Sequence, residues 1–252
     1  MAAEPGSIDS GRIMSRGFEA LGRNFPAFLA ITVALAGLPA FAVHYWVLGQ
    51  ALPGGDPELA PYWWLAATLA SWVLAALLQG ILVRETALYL AGRPAQRGAS
   101  IVAGLKLFLP ILAISILVAI GAVAGAALMI VPGVILYIMM IAAIPALVEE
   151  RRGVFGSMAR SYRLTRGCYL PIFVLLVIYA IFAAAVSTVF GLLFGVRNFG
   201  WDDSDPLMSA LASALGSTMI AMVGAAMVAS LYIELRTVKE GATPDDLASI
   251  FA

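Results

Sequence analysis

The run Leu107–Val148 carries no Asp, Glu, Lys or Arg over 42 residues. As one helix it would be about 63 Å long at about 1.5 Å per residue. That is about twice the roughly 30 Å hydrocarbon core of a bilayer. Such a run must cross a membrane and fold back within it. Pro132-Gly133 is the expected turn, since proline breaks the hydrogen-bond ladder and glycine permits positive φ. The two halves are unequal: Pro110–Val131 has 22 residues and Val134–Val148 only 15. Either the fourth helix continues past Glu149, or the turn lies below the membrane surface. Backbone at that depth needs protein or water to satisfy it.

Four further stretches lack charge. Phe25–Gly49, Tyr62–Val83, Tyr169–Val196 and Leu207–Ile233 have 25, 22, 28 and 27 residues. Each suits one crossing, which needs roughly 20 apolar residues. The expected fold is therefore an all-α polytopic membrane protein with six transmembrane helices. Composition agrees: 62% of the chain is hydrophobic and 12% charged, against roughly 45–50% and 25% in soluble domains. Too few charges remain to cover a soluble surface, and too much apolar mass for a disordered chain.

The basic residues set an orientation. Segments 1–24, 84–106, 149–168 and 234–252 together hold fourteen Lys and Arg, and the two alternate loops hold one, Arg197. The positive-inside rule then places both termini in the cytoplasm. Asp56, Glu58, Asp202, Asp203 and Asp205 fall in the outer loops, and Trp46, Trp63, Trp64 and Trp201 at the outer helix ends, where interfacial aromatics belong. The chain reads as a single membrane domain, 1–252. It has a cytoplasmic amphipathic N-terminus (1–24), a six-helix region (25–233) and a cytoplasmic tail (234–252). The first segment does not read as a cleavable signal.

The six helices pair as three hairpins, each entered through a proline (Pro26, Pro110, Pro171). Each leaves into a charged cluster: Arg84-Glu85, Glu149-Glu150-Arg151-Arg152 and Glu234-Leu235-Arg236. This reads as a weak threefold repeat. The segments before the hairpins look like surface-lying amphipathic helices. Met14, Phe18, Leu21 and Phe25 form one apolar stripe; Phe155, Met158, Ala159 and Tyr162 form another. Arg160, Arg163 and Arg166 run along the opposite side of the second stripe, as candidates for contact with anionic lipid headgroups.

Chemistry is sparse. None of the 144 residues in the five stretches is acidic or basic, whereas pumps and membrane enzymes carry ionisable groups there. His44, near the outer interface, reads as a headgroup-level polar residue. With one His and one Cys (Cys168), neither a disulfide nor a His-based metal cluster is expected. No phosphate loop, HExxH or GxSxG occurs. No catalytic residue, cofactor or nucleic-acid partner is expected. Ser209, Ser213 and Ser217 on the last helix, and the Gly121/Gly125 pair on the third, read as close packing within the bundle.

The centre of the chain carries a resemblance. It reads Val131-Pro132-Gly133-Val134-Ile135, then Ala143-Ile144-Pro145-Ala146-Leu147-Val148-Glu149, with Ala159-Arg160-Ser161, Leu164-Thr165-Arg166-Gly167 and Pro171-Ile172-Phe173 after it. Leu231-Tyr232-Ile233-Glu234-Leu235-Arg236, Lys239-Glu240-Gly241 and Leu247 complete the pattern. This resembles the polytopic membrane domain associated with bacterial glycerophosphoryl diester phosphodiesterases. The hydrolase of that family is a soluble barrel using His and carboxylates, and this chain has neither a second His nor room for a barrel. The resemblance thus implies a stand-alone module in a bacterial inner membrane, without the hydrolase. The expected role is a non-enzymatic module organising or regulating partner proteins or lipids, its partners being membrane lipids, anionic ones among them, or another membrane protein. The alternative is a passive carrier for a lipid-like or small neutral solute, with a lipid-headgroup enzyme ranked last. A carrier predicts a cavity lined by the span Ser and Thr; a scaffold predicts a sealed bundle.

Overall fold

The computed structural model describes residues 8–51, 60–90, 97–128, 130–195 and 205–241. Asp56, Glu58, Arg93, Arg197, Trp201, Asp202, Asp203 and Leu247 lie outside them. Among the described residues every regular element is helical: α1 (Ser10–Thr32), a π turn (Val33–Gly37), α2 (Leu38–Ala51), α3 (Ala60–Leu90), α4 (Arg97–Lys106), α5 (Phe108–Leu128), α6 (Ile130–Met140), α7 (Ala143–Glu150), α8 (Gly153–Thr165), α9 (Tyr169–Leu193) and α10 (Pro206–Glu240). Six stretches are long and apolar enough to cross a membrane: Phe25–Trp46, Leu69–Thr86, Phe108–Gly125, Val131–Glu150, Tyr169–Leu193 and Pro206–Glu240. The protein is an all-α polytopic membrane protein.

Proline positions account for many of the helix boundaries. Pro110, Pro132, Pro145 and Pro171 are each the third residue of a helix (α5, α6, α7 and α9), and Pro206 opens α10. A first-turn residue has no intrahelical N–H bond to lose, so proline is tolerated there. Pro26 differs. It lies inside α1, so only two of the three expected hairpin entries are equivalent. Pro39 is the second residue of α2, which starts as the π turn ends, so its missing N–H falls where the ladder already changes register.

The position of the turn at Pro132-Gly133 is corrected. α5 ends at Leu128 and α6 already starts at Ile130, so Pro132 and Gly133 belong to the first turn of the returning helix. Gly133 serves the hairpin by its size. A Cβ on Gly125 would stand 2.9 Å from the Gly133 Cα, and one on Gly121 would stand 3.1 Å from Leu136 Cδ2. The small residues of the third span therefore pack within the bundle, as their spacing predicts.

The fourth span is broken. α6 and α7 are separated at Ile141–Ala142. Pro145 sets the position, because it has no N–H to bond the Ile141 carbonyl one turn back. The loosened backbone is tied by α8. Ser161 Oγ donates to the Met139 carbonyl at 2.6 Å and accepts the Ala142 N–H at 3.1 Å. Thr165 Oγ1 lies 3.4 Å from the same Met139 carbonyl.

α10 is the hub, packing against α1, α2, α3 and α9. Its small residues permit this. Ala210, Ala212, Gly216, Ala225, Ala226 and Ala229 are buried, and a Cβ on Gly17 of α1 would meet Ser230 Oγ at 3.5 Å. The first amphipathic segment is also corrected. It is no separate surface helix, since α1 runs unbroken from Ser10 to Thr32 along α10. Its buried stripe is Ile13, Gly17, Ala20, Leu21 and Phe28, while Phe18 and Phe25 are exposed.

Candidate functional site: the charged end of the bundle

The three clusters that follow the hairpins meet at one end of the molecule. α3 brings Arg84 and Glu85, α7 brings Glu149 and Glu150, and α10 brings Glu234, Arg236 and Glu240. α1 adds Arg12 and Arg16, and α8 adds Arg160. The Glu234 side chain is 0% exposed, and it accepts from Arg16 Nη1 at 2.8 Å and faces Arg12 Nη1 at 3.3 Å. Two guanidiniums thus fasten α1 to α10 around a carboxylate that water does not reach.

A second network joins α7, α8 and α10. Arg160, only 12% exposed, donates from Nε to Glu150 Oε1 at 2.7 Å. Its other nitrogens fork onto Glu240, Nη2 to Oε2 at 2.7 Å and Nη1 to Oε1. Tyr232 donates its hydroxyl to Glu150 Oε1 at 2.9 Å, and Arg152 Nε lies 2.7 Å from Glu150 Oε2. Arg236 reaches Glu240 at 3.3 Å and places its guanidinium 5.9 Å from the Tyr232 ring centroid. Hydrogen bonds to Glu240 first, and to Glu150 as well, outweigh burial and push the Arg160 pKa above its ordinary value. A forked Arg–carboxylate pair is both strong and directional. Removing one member of a buried pair costs about 3–5 kcal/mol, because the partner's charge stays behind.

Glu85 and Glu149 are also buried. Arg84 and Arg236 lie within electrostatic reach of Glu149. Glu85 Oε1, Glu149 Oε1 and Arg84 Nε make no hydrogen bond.

The arginine row expected to meet lipid is divided. Arg160 is committed to Glu150 and Glu240. Arg163 and Arg166 are exposed and form no ion pair among the described residues; the Arg166 carbonyl accepts from Lys239 Nζ at 3.0 Å. Pro132 and Gly133 are in α6, apart from this site.

The face of α8 turned inward is not its apolar stripe. Ser157, Ser161, Leu164 and Thr165 are buried, whereas Phe155 is 78% and Tyr162 40% exposed. The signal for this was the four-residue spacing of Ser157, Ser161 and Thr165, a polar stripe lying along one side of the helix. Glu150, Glu234 and Glu240 had only one signal, their place in the clusters after each hairpin. His44 is exposed, with its Nδ1 3.2 Å from the Ala40 carbonyl and 3.0 Å from Ser213 Oγ.

The family model described as a domain of unknown function (DUF7847) matches residues 64–235, and the chain belongs to that family. The matched span holds Arg84, Glu149, Glu150, Arg160 and Glu234 of the charged end, and omits α1, Arg236 and Glu240. No curated protein and no solved structure matches the chain.

Proposed function

We propose that the protein is a non-enzymatic membrane module whose charged end faces the cytoplasm of a bacterial inner membrane. There it organises or regulates partner proteins or lipids. The observation that carries this reading is the mounting of α8. The helix is locked from below by Ser161, Thr165 and Arg160. Its outer face offers Phe155, Tyr162 and Arg163. Exposed aromatic and arginine side chains on a rigid mount are the composition of a contact surface. The resemblance to the phosphodiesterase-associated membrane domain supports a module that works beside other proteins.

The carrier reading has less support. It asks the span Ser and Thr to line a path, but five of these hydroxyls bond their own helices: Thr32 to Phe28, Ser115 to Ile111, Thr188 to Ala184, Ser217 and Thr218 to Ala214.

A photoreactive phenylalanine analogue at Phe155 tests the module. A second at Val123, exposed on α5, controls for chance encounters in the bilayer. Discrete cross-links to one partner or lipid class from position 155, and diffuse lipid adducts from 123, are expected. Indistinguishable patterns from the two positions would refute the proposed role of α8.

A further inference from the structure

α8 is tethered at both ends to membrane-spanning helices. Two residues separate it from Glu150, where the fourth span ends, and three from Tyr169, where the fifth begins. Links that short reach little more than about 10 Å, so the helix stays at the membrane boundary. It lies against the flank of the fourth span, not on its end. Ser161 bonds the Met139 carbonyl and the Ala142 N–H. Ala142 is eight residues before Glu150, about 12 Å back along the span. α7 does not bend away from the bundle over those residues. A Cβ on Gly80, inside the second span, would lie 2.6 Å from Ile111 Cδ1 and 3.8 Å from Val148 Cγ2. The side of α8 opposite Ser161 is therefore turned outward, into lipid at the level of the headgroups.

That side has a composition of its own. Phe155, Ala159, Tyr162, Arg163 and Arg166 recur at i, i+4, i+7, i+8 and i+11, within about 100° of one another around the helix. All five are exposed, while Ser157, Ser161, Leu164 and Thr165 on the opposite side are buried. No acidic residue stands among the five. Glu150 and Glu240, the carboxylates that α8 engages, are both taken by Arg160. Aromatic rings suit the boundary between headgroups and acyl chains. Guanidiniums suit phosphate, which they grip with two nitrogens. In a zwitterionic headgroup a cation already balances that phosphate; in an anionic one it is free to pair.

We infer that this side of α8 seats the headgroups of anionic phospholipids, with Arg163 and Arg166 on the phosphates and Phe155 and Tyr162 in the acyl boundary. The inference rests on the contact role proposed for α8 and names its partner as lipid. Arg151 and Lys106 are also exposed and without an ion pair among the described residues, but one caps α7 and the other ends α4. They serve as the control.

A photoreactive phenylalanine analogue at Ala159, in nanodiscs of equimolar phosphatidylglycerol and phosphatidylcholine, tests it. Phosphatidylglycerol should dominate the adducts. Arg163→Gln with Arg166→Gln should lower its ratio to phosphatidylcholine by up to about thirtyfold, at about 1 kcal/mol per basic residue. Lys106→Gln with Arg151→Gln removes the same charge elsewhere and should lower the ratio far less. Should a variant fail to fold, the parent supplies a second reading: about 1 M salt shortens the screening length to about 3 Å and should bring the ratio close to even. An even ratio in the parent at low salt, an equal fall in the two double variants, or a ratio indifferent to salt would each overturn the inference. Cross-linking from Ala159 in whole membranes separates it from the reading it rests on. Phosphatidylglycerol adducts there support both. A discrete protein adduct would overturn the lipid assignment and leave α8 a contact surface, whereas diffuse adducts like those from Val123 would remove both.

Discussion

Glu150 lies against Arg160, Arg152 and Tyr232, so a single arginine truncation does not leave it bare. Arg160→Ala should still cost about 3 kcal/mol, the low end for a broken buried pair, because Glu240 loses its fork as well. Arg163→Ala, exposed and without an ion pair, should change stability by no more than about 0.5 kcal/mol. Thermal unfolding of both variants in one detergent compares them; equal melting temperatures would mean the Arg160 network holds nothing together. Ser161→Ala strips the Ala142 N–H and the Met139 carbonyl of a shared partner, and should cost about 1–3 kcal/mol. Hydrogen exchange at Ala142 should rise with it, and unchanged protection there would show that the break is closed by other means. The sequence did not tell these residues apart. Arg160, Arg163 and Arg166 look alike along a helix, and only the neighbouring chain separates a buried tie from two exposed cations. Charge identity is local; the partner that decides its role is about 10 or 80 residues away.

Helices were easier to read than the joints between them. An uncharged run of about 20 residues must be helical in lipid, since every backbone group needs an internal partner. Pro110 and Pro171 were read as helix entries and do lie in first turns; Pro132 was read as a break, but it too lies in a first turn, where proline breaks no bond. This gives a prediction for the α5–α6 hairpin. Pro132→Ala should be nearly neutral, within about 1 kcal/mol, as the N–H it restores is unneeded. Gly125→Ala puts a methyl 2.9 Å from the Gly133 backbone and should cost about 1–3 kcal/mol by overpacking. Gly121→Ala meets only the flexible end of Leu136 and should cost less than Gly125→Ala. Melting temperatures that rank the three variants otherwise would mean the hairpin is not held by glycine contact. Gly22, in α1 with nothing within 4 Å of a Cβ, is the matching positive case. Gly22→Ala should stabilise by about 0.5–1 kcal/mol.

At the scale of the whole molecule, six spans and the alternation of charge between them followed from counting, because lipid penalises charge wherever it lies in the chain. The convergence of the three charged clusters did not follow, since it depends on how hairpins far apart in sequence pack around α10. Yet the two facts bear on each other. A bundle whose buried ion pairs, among the described residues, lie at one end has one end adapted to highly charged surroundings. Tyr45, Trp46 and Tyr62, at the opposite helix ends, are exposed, as interfacial aromatics should be. Fourteen basic residues lie in the segments on the charged side and one in those on the other. Arg160 is among the fourteen, but its charge is already neutralised by Glu150 and Glu240 in the folded state. Orientation is set during insertion, before those contacts exist, so the excess of basic residues acts regardless of later pairing. Arg160→Gln should therefore destabilise the bundle without inverting it. Single cysteines at Gly55 and Asp203 should react with an impermeant reagent added outside intact cells, and single cysteines at Ala95 and Arg163 should not, in both the parent and the Arg160→Gln background. Cys168 is buried and should give little background. Labelling at Ala95 or Arg163 but not at Gly55 would invert the assignment and put α8 outside the cell. A pattern that changes in the Arg160→Gln background would mean that the ion pairs, and not the count of basic residues, fix which way the protein faces.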